Sequence, residues 1–330
     1  MKNLITDVQG LRVGQTDDAR VATGVTAIVF DEPAIASIAI LGGAPGVRDT
    51  ALLEPEMSVG GVDAILLSGG SAFGLDAAGG AMAALHAMGR GYQVRSARVP
   101  IVPQAILFDL LNGGEKDWGR YSPYPELGYQ AVIQASADFK LGTAGAGFGA
   151  TTATFKGGLG STSMVTPSGF TVGAIVAVNA VGSATIGDGP HFWAAPHEQN
   201  SEFGGFGLPH PFPDDAMAIR LKGGPRENTV IALVATDAIL TKSEAKRLAL
   251  SAHDGMARAI RPAHTPMDGD VVFAASTGKR PLQGGINDLT ELCIAAADTL
   301  ARAIARGVYE AESLPFSGAQ IAWSDRYSRR

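Results

Sequence analysis

Glycine is the residue that most narrows what this chain can become. The sequence holds 43 glycines among 330 residues, about 13% against roughly 7% on average. They are set among Val, Ile, Leu and Ala rather than in Pro/Ser tracts, so they do not signal disorder. They point to tight turns, close backbone approaches and an interior with little room for charge. Charged residues make up only 18%, below the usual share of about a quarter. That leaves apolar area an oligomer could cover. The length fits one large compact domain or two ordinary ones.

The formal charge is −6, from 26 basic and 32 acidic residues. A polyanion binder would carry a basic stripe, and the densest basic cluster, Arg326, Arg329 and Arg330, is only a tail. Nucleic acid is excluded as the main partner. The single cysteine, Cys293, leaves neither an internal disulfide nor a cysteine-based zinc cage. The first residues lack the apolar run of a signal peptide. The most apolar stretch, 172–186, is too short for a membrane helix and is interrupted by Asn179 and Ser183. The expectation is a soluble, cytoplasmic protein.

Strand and helix patterns alternate without a linker. Residues 38–41 and 64–67 are short apolar runs ending in Gly or Ser-Gly, as buried strands do. Residues 72–88 read as a helix packed through small side chains, 109–125 as a loop, and 171–180 as a strand. Residues 181–213, rich in Gly, Pro, His, Phe and Trp, read as a long surface loop, a length that is often functional. Further on, 229–235 is a β-branched strand. Thr241-Lys242-Ser243-Glu244 is a capping box opening a helix to about residue 260. Residues 271–276 form a strand and 289–306 a long helix, with Gly307 as its stop. This mixture predicts a layered α/β sandwich.

Three familiar templates fail. Gly145-Ala146-Gly147-Phe148-Gly149 gives GxGxG rather than the dinucleotide GxGxxG, and no acidic residue follows about 20 positions on. These glycines either present backbone N–H groups to a scissile carbonyl or permit close strand packing. Ser68-Gly69-Gly70-Ser71-Ala72-Phe73 lacks the GxSxG of a nucleophile elbow. Ser68, Ser71 and Phe73 either line a pocket or, through the hydroxyls, cap the following helix. The six histidines form no HExxH, and no metal site is expected.

The segment from Pro262 to Gly278 holds His264-Thr265-Pro266-Met267-Asp268-Gly269-Asp270. It is either a connecting turn set by Asp268-Gly269 or the site of a latent nucleophile. In the second case the Thr265 hydroxyl attacks the His264 carbonyl, the chain shifts to an ester, and water cleaves it. Thr265 would then carry a free α-amine with a pKa of about 7.7–8.0, suited to general-base work at neutral pH.

Five separated blocks carry a resemblance that runs nearly end to end. They are Gly42-Gly43-Ala44-Pro45-Gly46-Val47-Arg48-Asp49-Thr50; Leu67-Ser68-Gly69-Gly70-Ser71-Ala72-Phe73-Gly74-Leu75-Asp76; Gly145-Ala146-Gly147 with Lys156-Gly157-Gly158-Leu159-Gly160-Ser161; Val176-Ala177-Val178-Asn179-Ala180-Val181-Gly182; and Thr265 through Asp270. Together they resemble the DmpA-type family of N-terminal-nucleophile hydrolases: L-aminopeptidase/D-amidases, β-aminopeptidases and, closest in motif, the NylC-type nylon-oligomer hydrolases.

The resemblance implies a four-layer αββα sandwich, made as one chain that cuts itself before a Ser or Thr. Here it implies a cut between His264 and Thr265, giving pieces of 264 and 66 residues. Thr265 is the implied nucleophile, Asn179 the oxyanion donor, and Lys156 a lysine tuning the nucleophile. Asp288, with Thr290 second, takes the place of an orienting acidic pair, although both could instead be helix N-cap residues. Gly145, Gly147, Ser68, Ser71 and Phe73 are the candidates for the substrate pocket. No cofactor is implied, and a homotetramer of processed protomers is. Two substrate classes fit: linear 6-aminohexanoate oligomers, favoured by the threonine, and peptides or amides with a free amino terminus. A non-catalytic, uncleaved binding or structural relative is the reading from another class.

Overall fold

The computed structural model describes residues 1–223 and 228–329. Its strands are β1 (Leu11–Asp18), β2 (Thr23–Ile40), β3 (Val47–Arg48), β4 (Val62–Ser68), β5 (Tyr92–Val94), β6 (Ala97–Val99), β7 (Gln104–Ile106), β8 (Leu159–Val165), β9 (Thr171–Asn179), β10 (Thr229–Ala238) and β11 (Val271–Arg280). The helices are α1 (Ala77–Ala87), α2 (Tyr124–Ile133), α3 (Lys242–Ala259), α4 (Ile286–Tyr309) and the short α5 (Trp323–Arg326). No described helix is long and apolar enough to cross a membrane.

One strand organises the layers. β2 is 18 residues long and serves two sheets. Its first half lies between β1 and β4, with Val25 opposite Thr16 and Ser68. Its second half pairs with β11, with Ile38 opposite Phe273. The register with β4 shifts between Val29 and Ala34, across Asp31-Glu32-Pro33. A proline has no N–H for a ladder, so the strand changes partners there. The order along the sheet is β3-β7-β4-β2-β11-β10-β9-β8. Only β4–β7 and β10–β11 are parallel along that path.

Three apolar interiors separate four layers. α1 and α2 cover the β2–β4 half through Ala77, Ala81, Leu85 and Leu127 against Val25, Ala27 and Leu66. The two half-sheets meet through Ile28, Phe30, Ile65 and Leu67 against Ile175, Ile231, Leu233 and Phe273. α3 and α4 cover β9–β11 through Leu248, Met256, Leu292 and Leu300 against Val176, Val234 and Val272. Each fully buried Val, Leu, Ile, Phe or Met among these contributes about 1.5–3 kcal/mol. This is the expected αββα sandwich.

The capping box is as read: Thr241 Oγ1 accepts from Glu244 N at 3.3 Å, and Glu244 Oε2 accepts from Thr241 N at 2.7 Å. Gly307 is not a helix stop, since α4 continues to Tyr309. It is a crossing point. A Cβ on the facing Gly160 would lie 1.8 Å from Ala303 O and 2.7 Å from Gly307 N, so helix and strand touch backbone to backbone. Residues 109–125 are irregular up to Tyr124, where α2 begins.

Strand parity then places the site. Along β10, Val230, Ala232 and Val234 face the helices while Ile231, Leu233 and Ala235 face the opposing sheet. Thr229 has the parity of the second set. Asn179, at the end of β9, shares parity with Ile175 and Ala177 on the same face. In the antiparallel ladder the two residues are direct partners.

Candidate active site

The start of β10 is wrapped by the turn that leads into β11. Thr229 Oγ1 donates to the carbonyl of Asn228, the residue before it. That carbonyl also accepts from Gly269 N at 3.1 Å. Asp270 Oδ1 accepts from Val230 N at 3.0 Å, and Asn228 bridges to Asp268. The fit is tight at Gly269, where a Cβ would lie 2.6 Å from Thr229 Oγ1 and 2.9 Å from Ala44 O. A hydroxyl, the peptide carbonyl preceding it and an N–H donor to that carbonyl are therefore assembled at one buried point. Thr229 and Asn228 are both buried. The Asn228 side-chain amide and Asp268 Oδ1 have no hydrogen-bond partner among the described residues.

Asp268 and Asp270 form a buried carboxylate pair. Burial first, and then the neighbouring Asp270 charge, push Asp268 up to about 6. Asp268 Oδ2 accepts from Thr265 N and Thr265 Oγ1, both at 3.0 Å. Asp270 Oδ2 accepts from His264 N at 2.9 Å, and His264 Nδ1 lies 2.9 Å from the same oxygen. Burial alone would lower the His264 pKa, but the Asp270 hydrogen bond and charge outweigh it and hold it raised.

Asn179 is fully buried and fixed at both ends of its amide. Its Nδ2 donates to Phe108 O at 3.0 Å, while Oδ1 accepts from Thr151 N at 3.0 Å and Lys222 Nζ at 2.8 Å. Next to it is a cavity of about 170 Å³ lined by Phe108, Asp109, Thr151, Lys222 and Gln320, among others. Lys156 is buried behind this wall, donating to Gly157 O at 2.8 Å and Gly147 O at 3.1 Å. Burial lowers it to about 7, with the Lys222 charge in the same direction and Asp109 opposing. Burial raises the pKa of Asp109, which accepts from Thr23 Oγ1 at 2.6 Å and Gly70 N at 2.8 Å.

The other expected residues fall elsewhere or do different work. Thr265 closes a turn on Asp268, and its carbonyl accepts from Asp268 N at 3.0 Å; Asn179 instead faces Thr229. His264, at φ +57°, is in the left-handed region. Asp288 folds back over the entry to α4, accepting from Gln283 N at 2.9 Å and Gly284 N at 2.8 Å. Thr290 Oγ1 donates to Ile286 O at 2.8 Å within that helix. Neither is the N-cap residue their sequence positions also allowed, since Gly285 takes that place and both lie inside the first turns of α4. Gly145 N donates to Asp17, and Gly147 N to Ala144 O at 2.9 Å, so their N–H groups are spent internally. A Cβ on Gly147 would lie 2.0 Å from Leu159 N, which is the close-packing reading. Ser68 is buried and donates to Gly69 O at 2.9 Å, while Ser71 N donates to Leu107 O at 2.9 Å. Phe73 is exposed, with its edge on Trp118 at 5.4 Å.

Sequence reasoning passed over Thr229, Lys222 and Asp109, and took Asp268 and Asp270 only as followers of Thr265. A signal was present for the first. An Asn-Thr pair heads a strand about 40 positions before Asp268-Gly269-Asp270, and that motif is itself a pair of carboxylates, buried beside the strand head. Among the described residues, no three His, Cys, Asp or Glu side chains converge as a metal cage would.

The Peptidase family S58 model matches residues 3–321. An uncharacterized aminopeptidase of Mycobacterium tuberculosis is 41% identical over 334 residues, covering 94% of each chain. A 6-aminohexanoate-oligomer endohydrolase of Agromyces sp. is 27% identical over 293 residues, covering 82% of this chain and 74% of its own. Among solved structures, a Burkholderia sp. β-aminopeptidase superposes with a TM-score of 0.69 at 23% identity, covering 98% of this chain and 91% of its own. The L-aminopeptidase D-Ala-esterase/amidase of Ochrobactrum anthropi, described as a new variant of the Ntn hydrolase fold, gives 0.69 at 21% identity, covering 99% and 94%. The αββα layers, the amide-handling geometry at the head of β10 and a match over nearly the whole sequence lead to one assignment: this chain belongs to peptidase family S58 and is an amide-bond hydrolase.

Proposed function

We propose that the chain is a self-processing aminopeptidase/amidase that cuts itself between Asn228 and Thr229 and then uses Thr229 as an N-terminal nucleophile. One observation carries this reading in place of a cut at Thr265: the Thr229 hydroxyl rests on the Asn228 carbonyl, directly across the ladder from Asn179. Thr229 Oγ attacks that carbonyl carbon while Gly269 N–H steadies the oxygen. The C–N bond breaks and its nitrogen takes the hydroxyl proton, leaving an ester. Water cleaves the ester, releasing the Asn228 carboxylate and restoring the Thr229 hydroxyl beside the amine freed in the shift. That amine is the general base for the next attack. Asp268 and Asp270 flank it, and the unpartnered Asp268 Oδ1 is the acceptor that would receive its N–H.

In turnover, Thr229 Oγ attacks a substrate amide carbonyl, its amine passes the proton to the leaving nitrogen, and water resolves the acyl-enzyme. Asn179, paired with Thr229 across the ladder, is the side-chain donor to the oxyanion. The aminopeptidase relative is the more similar in sequence, and the small cavity beside Asn179 suits a short acyl group. Both support peptides or amides with a free amino terminus over long 6-aminohexanoate oligomers. A homotetramer of processed protomers in the cytoplasm completes the proposal. The test pairs two variants. Thr229→Ala should remain a single inactive chain, whereas Thr265→Ala should still cut and turn over. The reverse result returns the nucleophile to Thr265, and an intact wild-type chain without amidase activity supports a non-catalytic relative.

A further inference from the structure

We propose that His264 is a positioning residue: it holds the Asp270 carboxylate against the Val230 N–H at the start of β10 and so keeps the processed Thr229 terminus in place. The inference rests on Thr229 being the nucleophile.

The contact is built from both ends of one residue. His264 N donates to Asp270 Oδ2 at 2.9 Å, and Nδ1 lies 2.9 Å from that same oxygen. Reaching one oxygen with backbone and ring together requires the chain to turn back on itself, and His264 does so at φ +57°. That region is costly for a side-chain-bearing residue and persists where surrounding contacts over-determine it. The other carboxylate oxygen of Asp270 accepts from Val230 N at 3.0 Å. One carboxylate thus ties the turn before β11 to the residue after the nucleophile, and after a cut at Asn228 it is among the bonds still holding the new terminus.

Among the described residues, the His264 ring has one aromatic neighbour. His253 on α3 packs at 4.8 Å between ring centroids, edge to face, and is itself anchored with Nε2 3.0 Å from Ala39 O. His253 Nδ1 is buried without a hydrogen-bond partner among the described residues, and the His253 backbone also helps hold His264 raised. The charged or titratable groups that act on His264 and His253 are Asp268 and Asp270 from the turn before β11 and Asp254 from α3. Burial lowers His253 to about 4, whereas the hydrogen bond and charge of Asp270 hold His264 raised against its burial.

The experiment uses the full chain and two variants. His264→Asn can keep an N–H donor and tolerates the left-handed backbone, but has no charge. His264→Ala removes both. For processed His264→Asn, kcat should fall about tenfold with KM within twofold, and the acid limb of the pH–kcat profile should move upward. His264→Ala should fall further, without recovery at high pH. Wild-type kcat and an unmoved acid limb in His264→Asn would overturn the proposal. Should either variant fail to fold, the His264 ring is titrated by NMR in the uncut Thr229→Ala chain. A ring protonated well above the ordinary histidine range supports the role, and a neutral ring at pH 6 contradicts it. Because that titration needs no cleavage, it separates failure of this role from failure of the Thr229 assignment, which the site of cutting decides.

Discussion

Replacing Gly269 by alanine probes the tightest point of the proposed chemistry. The new Cβ would sit 2.6 Å from Thr229 Oγ1, where ordinary contact begins at 3.4 Å. The hydroxyl must retreat by about 0.8 Å, in a reaction where a displacement of about 1 Å costs on the order of 10²-fold. The turn cannot give way instead, because the same Cβ would lie 2.9 Å from the backbone oxygen of Ala44. The expected result is self-cleavage slowed about 100-fold, with a stability loss of about 1–3 kcal/mol from overpacking. The assay follows freshly translated precursor by mass under denaturing conditions, alongside thermal melting. Cleavage at the wild-type rate with an unchanged melting temperature would mean that the hydroxyl does not depend on this wall, and the geometry assigned to Thr229 would be wrong.

Two further variants read the buried charges. Asp268 is held up at about 6 by burial and Asp270, so the folded state keeps a proton that the unfolded chain releases near 3.8. Its stability contribution is complete below that value and is lost as pH rises through 6. Asp268→Asn should therefore gain in melting temperature relative to wild type between pH 4 and 7 while cutting more slowly; a relative loss over that range contradicts the assignment. Lys156, lowered to about 7 by burial, binds fewer protons when folded between pH 7 and the ordinary lysine value, so the wild type gains stability as pH rises there. Lys156→Met should lose ground against it from pH 7 to 10 in the same melting assay, and a constant difference would place Lys156 in a wetter setting.

The layers were legible in the sequence because each interior is written as an alternation or a helical stripe: residues 229–235, the Thr241–Glu244 box and the long apolar face before Gly307. Asn179 was legible for a related reason, as an amide inside an apolar strand. The partner of Asn179 was not. Register between β9 and β10 is set by tertiary packing, and a threonine opening a β-branched strand looks like any other. Thr265 attracted attention because it stands beside the Asp268-Gly269-Asp270 motif. The motif instead turns to clasp Asn228 and Thr229, and Thr265 fastens the turn. Asp288 misled in the opposite way, since an acidic residue at the head of a helix looks the same whether it orients an amine or closes a turn. Lys222 lies in an irregular stretch with no periodicity, and only the folded chain brings it to Asn179.

The central claim is the location of the nucleophile, and intact mass under denaturing conditions on freshly purified protein tests it most directly. Two fragments are expected, residues 1–228 and a 102-residue piece beginning at Thr229. A 66-residue piece beginning at Thr265, or a single uncut chain that nonetheless hydrolyses amides, would contradict it.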